Sequence, residues 1–297
     1  MRTLLSLVIA ALIGAAIGFG ALVMWPIGGT TSIDASLEGD AQRGAYLART
    51  GGCISCHSDF AKGGAPLAGG PALDTPFGVF HAPNLTSDTA AGIGGWSLAD
   101  FATAVREGVS PDGEPYYPVF PYEFYAGLSD QEVADLYAAF KTVPAVATPA
   151  PPHELGFPFN QRPTLKLWRA LFAADPSAEA APGGKSEAWQ RGRHLVTSVV
   201  HCGACHTPRN IVGGLEESEA FGGSDMLPGG GVAPSITAAR LGEDGWTVAS
   251  LAYALKSGVM PSGDAFGGEM AAFVEGATQF LTDDDRTAIA TYLVEGP

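Results

Sequence analysis

The chain has four cysteines, and they fall into two pairs with a histidine behind each: Cys53-Ile54-Ser55-Cys56-His57 and Cys202-Gly203-Ala204-Cys205-His206. Two thiols three positions apart can each add to one vinyl group of the same porphyrin. The histidine that follows lies under the ring plane and becomes the proximal iron ligand. A four-cysteine zinc site, redox dithiols or two structural disulfides would draw on the same thiols, but none needs a histidine after both second cysteines. The pattern therefore predicts two covalently bound haem c groups. One is held by Cys53 and Cys56, the other by Cys202 and Cys205, with His57 and His206 on the irons.

The elements that position these groups come as an internal repeat. Gly95-Trp96-Ser97-Leu98 reappears as Gly245-Trp246-Thr247-Val248, and Gly108-Val109-Ser110-Pro111-Asp112-Gly113 as Gly258-Val259-Met260-Pro261-Ser262-Gly263, both 150 positions on. Ala82-Pro83-Asn84-Leu85-Thr86 matches Ala233-Pro234-Ser235-Ile236-Thr237, and Leu128-Ser129-Asp130 matches Leu281-Thr282-Asp283. Two copies of one unit explain all of these. Helices are expected over residues 40–50 and 185–198, ahead of the cysteine motifs. Ser97 with Asp100 and Ser129 with Glu132 read as capping boxes. Val133, Leu136, Tyr137 and Phe140 form one apolar stripe, and a matching helix begins at Thr282. No stretch alternates with period two, so a sheet core is not expected. The fold class is mainly α: two tandem class I cytochrome c-like domains, residues 36–143 and 185–297, behind an N-terminal transmembrane helix. Residues 144–184 form a Pro/Ala-rich linker with a short helix near Leu165 and Phe172, and its apolar side chains are expected to pack across the domains.

The second axial ligands are less evenly supplied. A methionine thioether opposite histidine raises the reduction potential, and the chain has Met1, Met24, Met226, Met260 and Met270. Met270, in a Gly-rich stretch read as a loop ahead of the last helix, is the candidate for the second iron. Met260 sits in a turn whose first-copy counterpart is Ser110, and Met226 reads as packing. Carried back by 150 positions, Met270 lands on Phe120, which cannot ligate iron. His81 is the candidate for the first iron. Its alternative role is a hydrogen bond to a propionate, and Tyr116, Tyr117, Lys62 and His153 are further donors. Trp96 and Trp246 are expected to wall the haem pockets, Arg209 to sit by a propionate or on the surface, and His194 and His201 to be packing or surface residues.

Gly44-Ala45-Tyr46-Leu47 running into the first cysteine motif, Thr75-Pro76-Phe77-Gly78, Gly92-Ile93-Gly94-Gly95-Trp96, Tyr117-Pro118-Val119-Phe120-Pro121-Tyr122 and His201 through Asn210 together resemble a known family. It is that of the multihaem cytochrome c subunits of bacterial membrane-bound alcohol, aldehyde and gluconate dehydrogenases. The resemblance runs from Glu38 to the C-terminus. It implies an anchored subunit that takes electrons from a periplasmic dehydrogenase and passes them to quinone or a terminal acceptor. It also implies iron ligation by His57, His206 and Met270. The chain departs from the pattern at Phe120, where the family carries methionine, and in having two haem motifs rather than three. A dihaem enzyme of the peroxidase type with an open first haem is the alternative reading. A cysteine-ligated haem would need a fifth cysteine.

Composition bounds the rest. An apolar run at residues 4–25, broken by Ser6 and preceded by Arg2, is long enough to cross a bilayer. The rival reading is a cleaved signal peptide, whose apolar stretch is shorter. Residues 1–28 are thus the anchor (or signal), and the remainder is expected on the periplasmic side of the bacterial cytoplasmic membrane. With 16 Lys+Arg against 31 Asp+Glu and a net charge of −15, nucleic acid is excluded as a partner. A basic redox protein is favoured.

Overall fold

The computed structural model describes residues 2–173 and 183–297. Met1 and residues 174–182 of the expected linker lie outside it. The helices in chain order are α1 (Arg2–Met24), α2 (Ala41–Thr50), α3 (Cys53–Cys56), α4 (Leu98–Glu107), α5 (Tyr122–Tyr125), α6 (Asp130–Lys141), α7 (Thr164–Phe172), α8 (Glu187–His194), α9 (Gly203–His206), α10 (Ala238–Glu243), α11 (Val248–Ser257), α12 (Gly268–Gly276) and α13 (Asp283–Glu295).

Local chemistry sets most of these boundaries. Asp40 caps α2 by accepting from the Gln42 and Arg43 amides. Ser97 and Ser129 close reciprocal capping boxes with Asp100 and Glu132 at the starts of α4 and α6, and Thr282 caps α13. Such a cap contributes about 1 kcal/mol. The α4 and α11 helices both end on a left-handed glycine, Gly108 and Gly258.

In each half, the first helix crosses the last at a glycine. A Cβ on Gly44 of α2 would lie 1.8 Å from the Asp135 carbonyl oxygen of α6. One on Gly192 of α8 would lie 1.9 Å from that of Ala288 in α13. Only a hydrogen at the crossing lets the backbones meet at this distance. Around the crossings runs one continuous apolar core that includes Leu47, Phe101 and Val133 from the first half and Trp189, Leu195, Ile289 and Tyr292 from the second.

Three features differ from expectation. A small antiparallel sheet is present, β1 (Ala72–Thr75), β2 (Gly78–His81) and β3 (Glu154–Leu155), in the order β1-β2-β3, with Ala72 opposite His81 and Gly78 opposite Leu155. Its strands are too short for an alternation to register, and the sheet lies beside the helical core, on a satellite cluster of Phe80, Tyr117 and Leu165. Met270 lies inside α12 and not in a loop. The segment after α8 widens into a π turn over Leu195–Val199.

The described part of the connecting segment is tied down at several points. Asn84 donates to the Val146 and Thr148 carbonyls, Tyr117 Oη to that of Phe159, and Arg162 to that of Pro115. Farther on, Trp168 Nε1 donates to the Val212 carbonyl of the second half.

Candidate functional site

Both cysteine motifs are built alike. Gly52, left-handed at φ +77°, turns the chain out of α2 into the single turn of α3, and His57 N–H closes back on the Cys53 carbonyl at 2.9 Å. One helical turn puts thiols three positions apart on one face. In the second motif the same pivot is His201, at φ +48°, and His206 N–H returns to the Cys202 carbonyl at 3.0 Å.

The histidines that follow the two motifs are oriented identically. Nδ1 of His57 donates to the Pro83 carbonyl at 2.8 Å, and Nδ1 of His206 to the Pro234 carbonyl at 2.8 Å. A carbonyl can only accept, so the proton is fixed on Nδ1 and the Nε2 lone pair is left for a metal. Burial holds both imidazoles below the usual histidine range, against the opposing effect of these hydrogen bonds. The four thiols are unpaired. In the free thiol form, burial pushes Cys53 and Cys202 up to about 12. Two thiols per turn with an oriented imidazole next to them is the donor set that covalent haem needs, and the residues fit the group.

Trp96 and Trp246 are half-buried against the core, and Trp246 stacks on Phe266 at 6.3 Å. Met270 is half-buried against the same core. Phe120, its counterpart, packs against the rings of Tyr116 at 6.0 Å, Tyr125 at 5.7 Å and Tyr122 at 6.4 Å. His81 is held elsewhere, with Nε2 3.2 Å from Glu154 Oε1 across the β2–β3 pair. Arg209 is half-buried and donates to the Gly213 and Ala204 carbonyls, spanning the loop behind the second motif.

The largest surprise is the junction between the motifs. His201 Nε2–H donates to the Gly51 carbonyl at 3.2 Å, and Tyr125 Oη donates to the same oxygen at 2.8 Å. One hydrogen bond therefore connects the residue before Cys202 to the residue two before Cys53. Two aromatic rings pack on this histidine: Phe124 of α5 lies 6.3 Å and Phe273 of α12 lies 5.9 Å from the His201 ring. Farther out, Tyr46 Oη donates to Asp285 at 2.6 Å, and His194 Nε2 meets Glu132 at 2.7 Å. Reading His194 and His201 as packing or surface residues missed this. The signal present in the sequence was His201 standing where the first motif has Gly52.

Comparison with known proteins places this architecture. The cytochrome c family model matches residues 41–142. The chain is 43% identical to a diheme c-type cytochrome of Cereibacter sphaeroides, over 94% of both chains. It is 41% identical to the gluconate 2-dehydrogenase cytochrome c subunit of Pantoea cypripedii over 85% of this chain, and 36% identical to the alcohol dehydrogenase (quinone) cytochrome c subunit of Gluconacetobacter polyoxogenes over 95%. This chain spans 58% and 60% of those two relatives. The chain belongs to the c-type cytochromes. Within them it is a dihaem member similar to the cytochrome c subunits of dehydrogenases, with two covalently bound haem c groups as cofactors.

Proposed function

We propose that this chain is a membrane-anchored, periplasmic dihaem electron carrier. It accepts electrons from a dehydrogenase partner and hands them to a quinone or terminal acceptor chain. In this reading residues 36–143 and 185–297 are tandem cytochrome c-like domains joined by residues 144–184. Cys53, Cys56, Cys202 and Cys205 attach the haems, while His57, His206 and Met270 ligate iron. Each haem, when bound, supplies an iron that cycles between ferrous and ferric.

The observation that carries the reading is the His201–Gly51 hydrogen bond between the two attachment segments. Two redox groups on segments joined by this bond, with Phe124 and Phe273 packed on the His201 ring, suit transfer within the chain. The methionine ligand belongs to the second site, so the second haem has the higher potential and electrons pass from the first to the second.

Anchoring rests on α1, the one helix among the described residues long and apolar enough to cross a membrane. Its exit is tied to the body: Lys166 of α7 donates to the Val23 and Trp25 carbonyls. N-terminal sequencing of the membrane-extracted protein distinguishes an anchor, which keeps residues 2–24, from a signal peptide, which does not.

The function is tested by mixing the reduced dehydrogenase that copurifies with the full chain and following haem reduction by stopped flow. Reduction should slow as salt is added, because docking on a surface of net charge −15 is electrostatic. Failure of every copurifying dehydrogenase to reduce either haem would overturn the reading.

A further inference from the structure

The two sites are equivalent up to the distal ligand. Val109 bridges Pro115 just as Val259 bridges Ala265, and Tyr116 N–H returns to the Gly108 carbonyl as Phe266 N–H returns to that of Gly258. Four residues past these matched bonds stand Phe120 and Met270. Beyond them, Phe124 and Phe273 pack on the His201 ring from opposite halves. The register therefore holds up to the ligand position. Phe120 stands at the repeat position of Met270, the proposed thioether ligand of the second iron.

The donors that the sequence offers for the first iron are turned to other partners or held protonated. His57 uses Nδ1 to reach the Pro83 carbonyl, on the side of the ring away from Nε2. Residues 81–83 thus back the proximal imidazole, and His81 lies on that strand with Nε2 against Glu154. His153 accepts the His81 backbone N–H on Nδ1, which places its proton on Nε2 and leaves no lone pair for a metal. Its ring is wedged between Phe80 at 5.2 Å and Tyr117 at 5.4 Å. Tyr117 Oη donates to the Phe159 carbonyl, Tyr125 Oη to the Gly51 carbonyl, and Lys62 pairs with Asp59. Tyr116 presents the edge of its ring to Phe120, and burial keeps its phenol protonated.

We infer that the first site, alone of the two, is an exogenous-ligand site: with Phe120 at the distal position, the iron held by His57 is left one coordination position for a small neutral diatomic ligand. The wall around Phe120 is built of uncharged aromatic rings, which suits this class, since an anion would lose its hydration there with only phenol O–H groups to replace it. Binding forms one dative bond from the ligand lone pair to ferrous iron. No bond breaks and no electron leaves the chain. The inference rests on the dihaem reading of the chain.

The test is carbon monoxide titration of the full-length, dithionite-reduced protein, after haem counting has established two haems per chain. One carbon monoxide per chain is expected. Phe120→Met should abolish binding and add a second iron–thioether charge-transfer band to the ferric spectrum. Phe120→Leu, which preserves folding without offering a ligand, should leave the stoichiometry at one. His81→Ala should also leave it at one. Met270→Ala should raise it to two. A wild-type protein that binds none, or binds only after His81→Ala, overturns the inference while leaving the electron carrier intact. A count of one haem per chain overturns the dihaem reading itself.

Discussion

The two halves share a scaffold and differ at the proposed distal position. Both present an oriented histidine through a proline carbonyl at 2.8 Å, both cross their first and last helices at a glycine, and both cap their helices with the same residue types. They diverge where potential and ligand access are set: Phe120 on one side, Met270 on the other. They also diverge at the pivot before the first cysteine, where Gly52 is replaced by His201. A non-glycine residue held left-handed costs on the order of 1 kcal/mol or more, and here it brings an imidazole to the junction. The scaffold reproduces one site twice, and a few side chains make the two copies unequal partners.

The comparison is most severely tested at the helix crossings. Gly44→Ala and Gly192→Ala each drive a methyl into a carbonyl oxygen and should cost roughly 3 kcal/mol or more. If the crossings are equivalent, the two losses in thermal unfolding should agree. A large loss at one and none at the other would end the equivalence.

The next largest effect is electrochemical. Met270→Ala should lower the potential of the second haem by on the order of 0.1 V, bringing it toward the first, as read by spectroelectrochemical titration. An unchanged upper potential would mean that Met270 is not the ligand.

Then comes the interface pair. Burial alone would raise the Glu132 carboxyl, but hydrogen bonds from His194 and Ser129 outweigh it and hold the group down at about 2. A depressed carboxylate contributes stability above its ordinary range and loses it as pH falls toward the folded value. Stability should therefore decline between about pH 5 and 2. His194→Ala should remove roughly 1–3 kcal/mol at neutral pH and flatten that decline, measured by denaturant unfolding across pH.

The smallest expected effect is at the matching contact. Tyr46→Phe leaves Asp285 its bidentate Arg191 partner, at 2.8 and 3.0 Å. It should cost about 1 kcal/mol.

Much of this was legible without coordinates because it is local. The cysteine motifs, the Ser97 and Ser129 caps and the start of α13 at Thr282 depend on neighbours a few positions away. What stayed hidden depends on distant partners. Tyr46 finds Asp285 239 positions along, and nothing beside either residue announces it. The π turn before the second motif is set by where Val199 and Val200 must be buried, not by propensity. Gly267 and Gly268 read as a loop, yet α12 forms because Val274 is buried and Phe273 packs on Gly52 and His201, a tertiary contact that overrides weak helix formers. The β1–β2 hairpin was missed because four-residue strands are below the length at which alternation can be seen. Even so, Thr75-Pro76-Phe77-Gly78 carries its turn chemistry: Thr75 Oγ1 accepts from Phe77 N–H and donates to the Gly78 carbonyl.

The contacts Tyr46–Asp285 and His194–Glu132 are one contact made twice. Tyr46 and His194 sit two residues past the crossing glycines Gly44 and Gly192, and Glu132 and Asp285 are third in the helices that begin after Ser129 and Thr282. Reciprocal contacts of this kind are the signature of an isologous two-fold interface, where each surface meets its own copy. Single-haem units associating through such a face would form a symmetric dimer whose metal sites were bound to be the same. Joining the units in one chain keeps the face and lifts that obligation. Each half then accepts substitutions of its own, and Phe120 opposite Met270 is what a fused pair can hold and a homodimer cannot.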